Sequence, residues 1–204
     1  MKTRWSLVNS TVGILLVSLL CSAQYGDITS VTPERDNRIV QPRREYRMKP
    51  NIDLSDLTRE QVCNLLNALL ADEYALYTKN LNYHWNVVGH DFYSNHLFFE
   101  KLYEKTFKMI DEIAERVRSL GGRAGGSMSE FLKTSHLTES TTGIPSTQQM
   151  FKDLLDGHEA IIRNLRLGVD KTQELGDMAT NNFLCELLER HEKIAWMLRS
   201  SLER

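Results

Sequence analysis

Cysteine, proline and glycine are all scarce in this chain, and each scarcity excludes a class of fold. The three cysteines are too widely spaced for a disulfide framework or a cysteine-based zinc site. We therefore expect Cys63 and Cys185 to be buried as small apolar side chains. Four prolines and eleven glycines leave long uninterrupted runs in the 204 residues, and no run alternates polar and apolar residues as a half-buried strand would. The sequence predicts an all-α fold.

The first 23 residues have the pattern of a secretory signal peptide. Two basic residues precede the apolar run at 12–20, which is too short to predict a transmembrane helix. The small residues at 21–23 would allow cleavage before Gln24. We therefore expect an exported protein, periplasmic or extracellular. The alternative is a cytoplasmic protein whose synthesis starts at Met48.

Residues 24–52 are predicted to form a flexible, weakly basic arm. Residues 24–50 carry five Arg and one Lys against two Asp and two Glu, a net charge of +2. Residues 51–204 carry 17 basic and 23 acidic side chains, a net charge of −6. A basic arm on an acidic body can attract phosphate groups, but this arm lacks a run of lysines. A flexible tether is the main interpretation, and DNA binding is the alternative.

From residue 53 to residue 204 the chain is predicted to be one domain of four long helices and one short helix. Periodic apolar residues and glycine stops place these helices at about 55–87, 91–120, 128–134, 146–175 and 178–202. Ser55 or Asp56 would cap the first helix, and Ser146 or Thr147 would cap the fourth. Long helices with one long connection in the middle indicate a ferritin-like antiparallel four-helix bundle, with the short helix in the crossover.

A set of candidate metal ligands lies in and near the second helix. His96, Glu100, Asp111 and Glu115 fall within about 100° of arc on that helix, and His84 lies at the end of the helix before it. His96 and Asp111 are nevertheless about 22 Å apart along the helix axis. One ion therefore cannot contact both residues in a single chain.

A second copy of the chain would bring these ligands together. If the two helices pack antiparallel about a two-fold axis between residues 105 and 106, His96 faces Glu115 of the other copy and Glu100 faces Asp111. Imidazole and carboxylate ligands suit iron, manganese or zinc, and ligand type alone does not choose among them. Taken singly, each of these residues is also typical of a solvated surface or a salt bridge. The joint pattern favours a metal site between subunits.

The usual signature of a metal site inside a four-helix bundle is absent. Bundle-core di-iron proteins carry Glu-x-x-His on two helices, and none of the six histidines here has Glu three residues before it. We therefore expect the metal chemistry to lie at a subunit interface.

Two segments carry a family resemblance: NYHWNVVGHDFYSNHLFFEKLYEKTFKMIDEIAERVRSLGG and ELGDMATNNFLCELLERHEKIAWMLRSSL. Over about residues 53–203 the chain resembles the Dps-type miniferritins, the DNA-binding-protein-from-starved-cells family. The resemblance implies that His84 and His96 of one subunit, with Asp111 and Glu115 of its partner, are ferroxidase ligands for iron at a dimer interface.

The resemblance implies further residues and an assembly. Glu100 matches a carboxylate that helps to hold the second iron, and Trp85 matches a tryptophan beside the centre, although packing at the interface explains Trp85 equally well. Such proteins form hollow twelve-subunit shells that oxidise Fe(II), typically with hydrogen peroxide, store ferric iron and protect against oxidative damage. A DNA-compacting protein and a catalytically silent cage are the alternatives. The intact ligand set argues against the cage, and the arm without a lysine run argues against DNA.

The expected export gives a testable start of the mature protein. We expect mass spectrometry of protein purified from its native source to find an amino terminus at Gln24, because the signal peptide would be removed there. Native protein that begins at Met48 and fractionates with the cytoplasm would contradict the prediction of export.

Overall fold

The computed structural model describes residues 48–138 and 143–203, and within these ranges it is all-helical. The helices in chain order are α1 (Asp56–Asn86), α2 (Phe92–Ser119), α3 (Met128–Thr134), α4 (Thr147–Glu174) and α5 (Met178–Leu202). All five predicted helices are confirmed, to within one residue at each end. The predicted signal peptide, and the predicted arm up to residue 47, lie outside the described residues.

Local polar contacts explain where the long helices begin and end. The Ser55 hydroxyl accepts a hydrogen bond from Thr58 N at 3.0 Å, and the Ser146 hydroxyl accepts one from Gln149 N at 3.3 Å. Each serine satisfies a backbone N–H that has no partner within the first turn of its helix. Gly176, with φ of 73°, provides the left-handed residue that lets the chain turn from α4 into α5.

The long helices pair as two antiparallel hairpins, α1 with α2 and α4 with α5. Near the start of α1, Arg59 Nη1 donates to the carbonyl of Leu120, just beyond the end of α2. Near the end of α1, His84 contacts His96 close to the start of α2. Because α1 also packs against α4, the hairpins form one four-helix bundle. None of the helices in the described residues is long and apolar enough to cross a membrane.

Apolar side chains from all four long helices meet in one core, and burying them supplies most of the driving force for folding. The largest of those without solvent exposure include Leu66, Leu76, Phe99, Ile113, Leu154, Ile161, Leu184 and Leu198. Cys63 is buried as predicted, but the prediction that Cys185 is buried is wrong. Cys185 lies about 100° around α5 from the buried Leu184, which places it on the outer face of the helix.

The crossover is attached to α1 through one buried carboxylate. Asp72 accepts hydrogen bonds from the Ser135 hydroxyl at 2.9 Å, from His136 N at 2.6 Å and from Asn164 Nδ2 at 3.3 Å. Ser135 directly follows α3, and Asn164 lies on α4, so Asp72 ties both elements to α1. Several donors to one carboxylate offset the cost of burying its charge.

A second buried polar group links α1, α4 and α5 in the middle of the bundle. His191 Nε2 lies 2.7 Å from Glu73 Oε1, and His191 Nδ1 lies 2.9 Å from His158 Nδ1. All three side chains are fully buried. Two facing nitrogens at this distance share one proton, because one must donate and the other accept. Burial first, and the charge of His191 second, hold the pKa of His158 well below its usual 6.5.

The neutral state of His158 makes the fold sensitive to acid. Below pH about 6.5 the unfolded chain takes up a proton at this histidine and the folded chain does not, so unfolding binds a proton. The free energy of unfolding should therefore fall by up to about 1.4 kcal/mol per pH unit on this account. His158→Gln should lower stability at neutral pH but weaken the dependence between pH 6.5 and 5.5.

Urea unfolding at fixed protein concentration measures this dependence, and His90→Gln is the matched control because His90 is exposed. We expect the control to keep the wild-type slope of stability against pH. An unchanged slope in His158→Gln would show that His158 is not the residue that takes up the proton.

Candidate metal centre

The two predicted histidine ligands meet at the end of the α1–α2 hairpin. His84 lies in the last turn of α1, and His96 lies in the second turn of α2. Their rings stack with centroids 3.8 Å apart and planes inclined by 21°. His84 Nδ1 lies 3.0 Å from the carbonyl oxygen of His96, and His96 Nδ1 lies 2.8 Å from the carbonyl oxygen of His84. Each histidine is therefore fixed to the backbone of the other.

This reciprocal contact determines which ring nitrogen can bind a metal. A carbonyl oxygen only accepts hydrogen bonds, so each Nδ1 must carry the proton. In the neutral ring, Nε2 then has the free lone pair. The described part of the chain gives neither Nε2 atom a hydrogen-bond partner. The hairpin thus holds two parallel imidazoles in the tautomer that a divalent metal requires.

The three carboxylates lie on α2, as predicted, and the described residues give none of them an ion-pair partner. Asp111 and Glu115 are exposed, and Glu100 is half-buried. Among the described residues, none of the three has a cationic side chain within 4 Å. Glu112 differs, because it contacts Arg190 at 2.5 Å and Lys108 at 3.9 Å. Three unpaired carboxylates on one stripe of a helix are electrostatically ready to bind a cation.

One chain brings together only half of the predicted ligand set. Asp111 follows His96 by fifteen residues on the same uninterrupted helix, so helix rise separates them by about 22 Å. Within residues 48–138 and 143–203 of a single chain, no three His, Cys, Asp or Glu side chains form a group that could hold a metal ion. The histidine pair and the carboxylates are therefore two separate groups, the two half-sites of the predicted centre.

Large apolar side chains are exposed around these half-sites. Phe107 lies on the α2 stripe between Glu100 and Asp111 and is 57% exposed. Trp85, which follows His84, is 68% exposed, so it does not pack in the hydrophobic core of its own chain. Exposed aromatic side chains clustered beside unpaired carboxylates are typical of a surface that another chain covers.

Comparison with known proteins places the chain in a family. A family model described as a ferritin-like domain matches residues 63–204. The crystal structure of a Dps protein from Vibrio cholerae aligns with a TM-score of 0.73 at 31% identity, covering 76% of this chain and 97% of that chain. DpsC from Streptomyces coelicolor aligns with a TM-score of 0.76 at 32% identity, covering 82% and 97%. The chain belongs to the Dps-type miniferritins.

Sequence relatives agree with this membership. A low temperature-induced protein of Nostoc is 50% identical to this miniferritin over 154 residues, covering 75% of the chain and 86% of the relative. DNA protection during starvation protein 2 of Bacillus anthracis is 36% identical over 143 residues, covering 70% and 97%.

Two aromatic neighbours of the histidines in this miniferritin were not predicted from the sequence. Phe92 stacks on His96 at a centroid distance of 5.0 Å, and Tyr103 meets His84 edge to face at 5.2 Å. Phe92 precedes His96 by four residues and Tyr103 follows it by seven, which are the spacings of one helix face. This spacing could have indicated the contacts, but aromatic residues at helical spacing are equally typical of an ordinary hydrophobic core.

Proposed function

We propose that this miniferritin binds Fe(II) between two copies of the chain, oxidises it with hydrogen peroxide and stores the ferric product inside a closed shell. The observation that carries the proposal is the pair of tautomer-fixed histidines, together with the carboxylates on α2. Within the described residues the Nε2 atoms have no hydrogen-bond partner and the carboxylates have no ion-pair partner. Neither half-site is complete alone, and each supplies what the other lacks. His84 and His96 from one copy, with Asp111 and Glu115 from the other, complete the set.

The ligand types fit iron as the substrate. Two carboxylates offset much of the charge of Fe(II) and stabilise Fe(III) still more, which favours loss of an electron. Two Fe(II) ions each lose one electron, and hydrogen peroxide takes up both electrons and two protons to give two waters. Delivering both electrons together avoids a hydroxyl radical, which accounts for protection against oxidative damage. Glu100 would assist the second iron.

The geometry of α2 supports a two-fold pairing. If the two-fold axis passes between residues 105 and 106, Phe107 lies close to the centre of the interface. The other copy would then cover its exposed ring. The same axis creates two identical sites for each pair of chains. We further propose that six such pairs close into a dodecameric shell, and that Trp85 contacts the centre from the edge of the interface.

DNA binding is the second candidate, favoured by the name of the Bacillus anthracis relative, which refers to DNA protection. The acidic charge of residues 51–204 opposes it, and residues 24–50 provide only a net +2. A gel-shift assay at low and at physiological salt separates the two functions, because phosphate contacts weaken steeply with salt. The predicted export of the protein also places it away from the chromosome.

Removing charge from the carboxylate half-site should abolish iron oxidation. Asp111→Asn/Glu115→Gln keeps the size of both side chains but removes two negative charges from the ligand set. We expect the initial rate of Fe(II) oxidation with hydrogen peroxide to fall at least about tenfold. Stopped-flow absorbance of the ferric product measures this rate.

Glu112→Gln is the matched control for that experiment. It removes one carboxylate from the neighbouring face of α2, where the group is paired with Arg190. We expect near wild-type oxidation from this variant. Equal rates for the double variant and the wild type would disprove the carboxylate half-site. A wild-type rate no faster than that of iron without protein would support a catalytically silent cage.

Mixing variants tests whether the site is shared between chains. A His84→Ala/His96→Ala chain and an Asp111→Ala/Glu115→Ala chain should each be inactive alone. Each mixed pair would contain one complete site and one empty site, so random mixing of equal amounts should restore about one quarter of the wild-type rate. Native mass spectrometry confirms co-assembly. Co-assembled mixtures as inactive as their parents would rule out a shared site.

A further inference from the structure

We propose that Phe92 and Tyr103 are positioning residues that clamp the two histidine rings from either side and set how tightly the centre binds its metal. The proposal rests on the proposed function, because it concerns the same histidine half-site. Neither residue is a ligand. Both would act through the orientation of His84 and His96.

The four rings form one continuous column. Phe92 lies over His96 at 5.0 Å with planes inclined by 29°, and His96 lies over His84 at 3.8 Å with 21°. Tyr103 closes the other end with its ring 5.2 Å from His84 at 72°. Each imidazole therefore has two aromatic neighbours, Phe92 and His84 for His96, and His96 and Tyr103 for His84.

The column supplies a constraint that the hydrogen bonds lack. A single Nδ1–H bond to a carbonyl fixes the tautomer but still lets the ring rotate about that bond. A ring with two aromatic neighbours cannot rotate without losing contact with at least one of them. The two Nε2 lone pairs are then held in fixed directions before the metal arrives. Metal binding needs less ordering of side chains, and preorganised ligands bind more tightly.

The placement of Phe92 is not explained by the hydrophobic core. Its side chain is 43% exposed at the first residue of α2, yet its ring stacks on His96. Tyr93 follows it and is 73% exposed, with no ring contact to either histidine in the described part of the chain. Adjacent aromatic residues on one turn thus differ in whether they reach the histidine column.

Tyr77 provides the corresponding control for Tyr103. The two rings meet edge to face at 6.3 Å, and Tyr77 also lies 5.9 Å from Phe107. In the described residues Tyr77 has no ring contact to His84 or His96. Losing Tyr77 therefore removes aromatic packing from the same patch but leaves the column intact.

Anaerobic titration of the metal-free assembled protein with Co²⁺ tests the clamp, with calorimetry for affinity and the visible absorption spectrum for ligand geometry. Phe92→Leu and Tyr103→Leu should each weaken Co²⁺ binding about 2- to 12-fold, the range expected for one lost aromatic contact. They should also alter the spectrum. Phe92→Tyr and Tyr103→Phe retain the rings and should restore both readouts. Tyr93→Leu and Tyr77→Leu should match the wild type.

The outcomes separate the clamp from the proposed function. If His84→Ala/His96→Ala binds Co²⁺ as the wild type does, the proposed centre is wrong. If binding requires the histidines but both leucine variants keep wild-type affinity and spectrum, the clamp is wrong and the centre stands. If one leucine variant fails to assemble, the test rests on the other position, where the variant that keeps the ring is compared with the leucine variant that lacks it. Failure of both to assemble overturns the clamp, because the rings then serve the fold.

Discussion

The rigidity of one helix is the constraint on which the site depends. Because α2 is continuous from Phe92 to Ser119, its histidine and its two terminal carboxylates cannot approach each other. The α1–α2 hairpin places the imidazole of His84 beside that of His96. The carboxylates, however, remain near the other end of the same continuous helix. A centre that contains all four proposed ligands would therefore require a second chain. Folding prepares the ligands, and association would assemble them.

Sequence periodicity was sufficient for most of what a single helix determines. The helix ends followed from glycines and serine caps, and the ligand stripe followed from the spacing of His96, Glu100, Asp111 and Glu115. These features are local, so geometry of about 3.6 residues per turn is enough to derive them. The same reasoning failed for Cys185, where a small apolar residue fits either face of α5.

Features that depend on the register between helices could not be derived in this way. The reciprocal bonds of His84 and His96 require the α1–α2 hairpin to close with a particular offset. The buried contacts from Glu73 through His191 to His158 require three helices to be in place. Sequence indicates that these residues are unusual for a core, but only packing shows which atoms meet.

The proposed division of ligands into a nitrogen half and an oxygen half would have a consequence for gene dosage. In a shared site, a chain that has lost only one half spoils one of the two centres in any pair that it joins. A chain that has lost both halves spoils both. Suppose that defective and normal chains are expressed together. In the first case the remaining activity should be proportional to the fraction of normal chains. In the second case it should be proportional to the square of that fraction. The second kind of lesion would therefore be partially dominant.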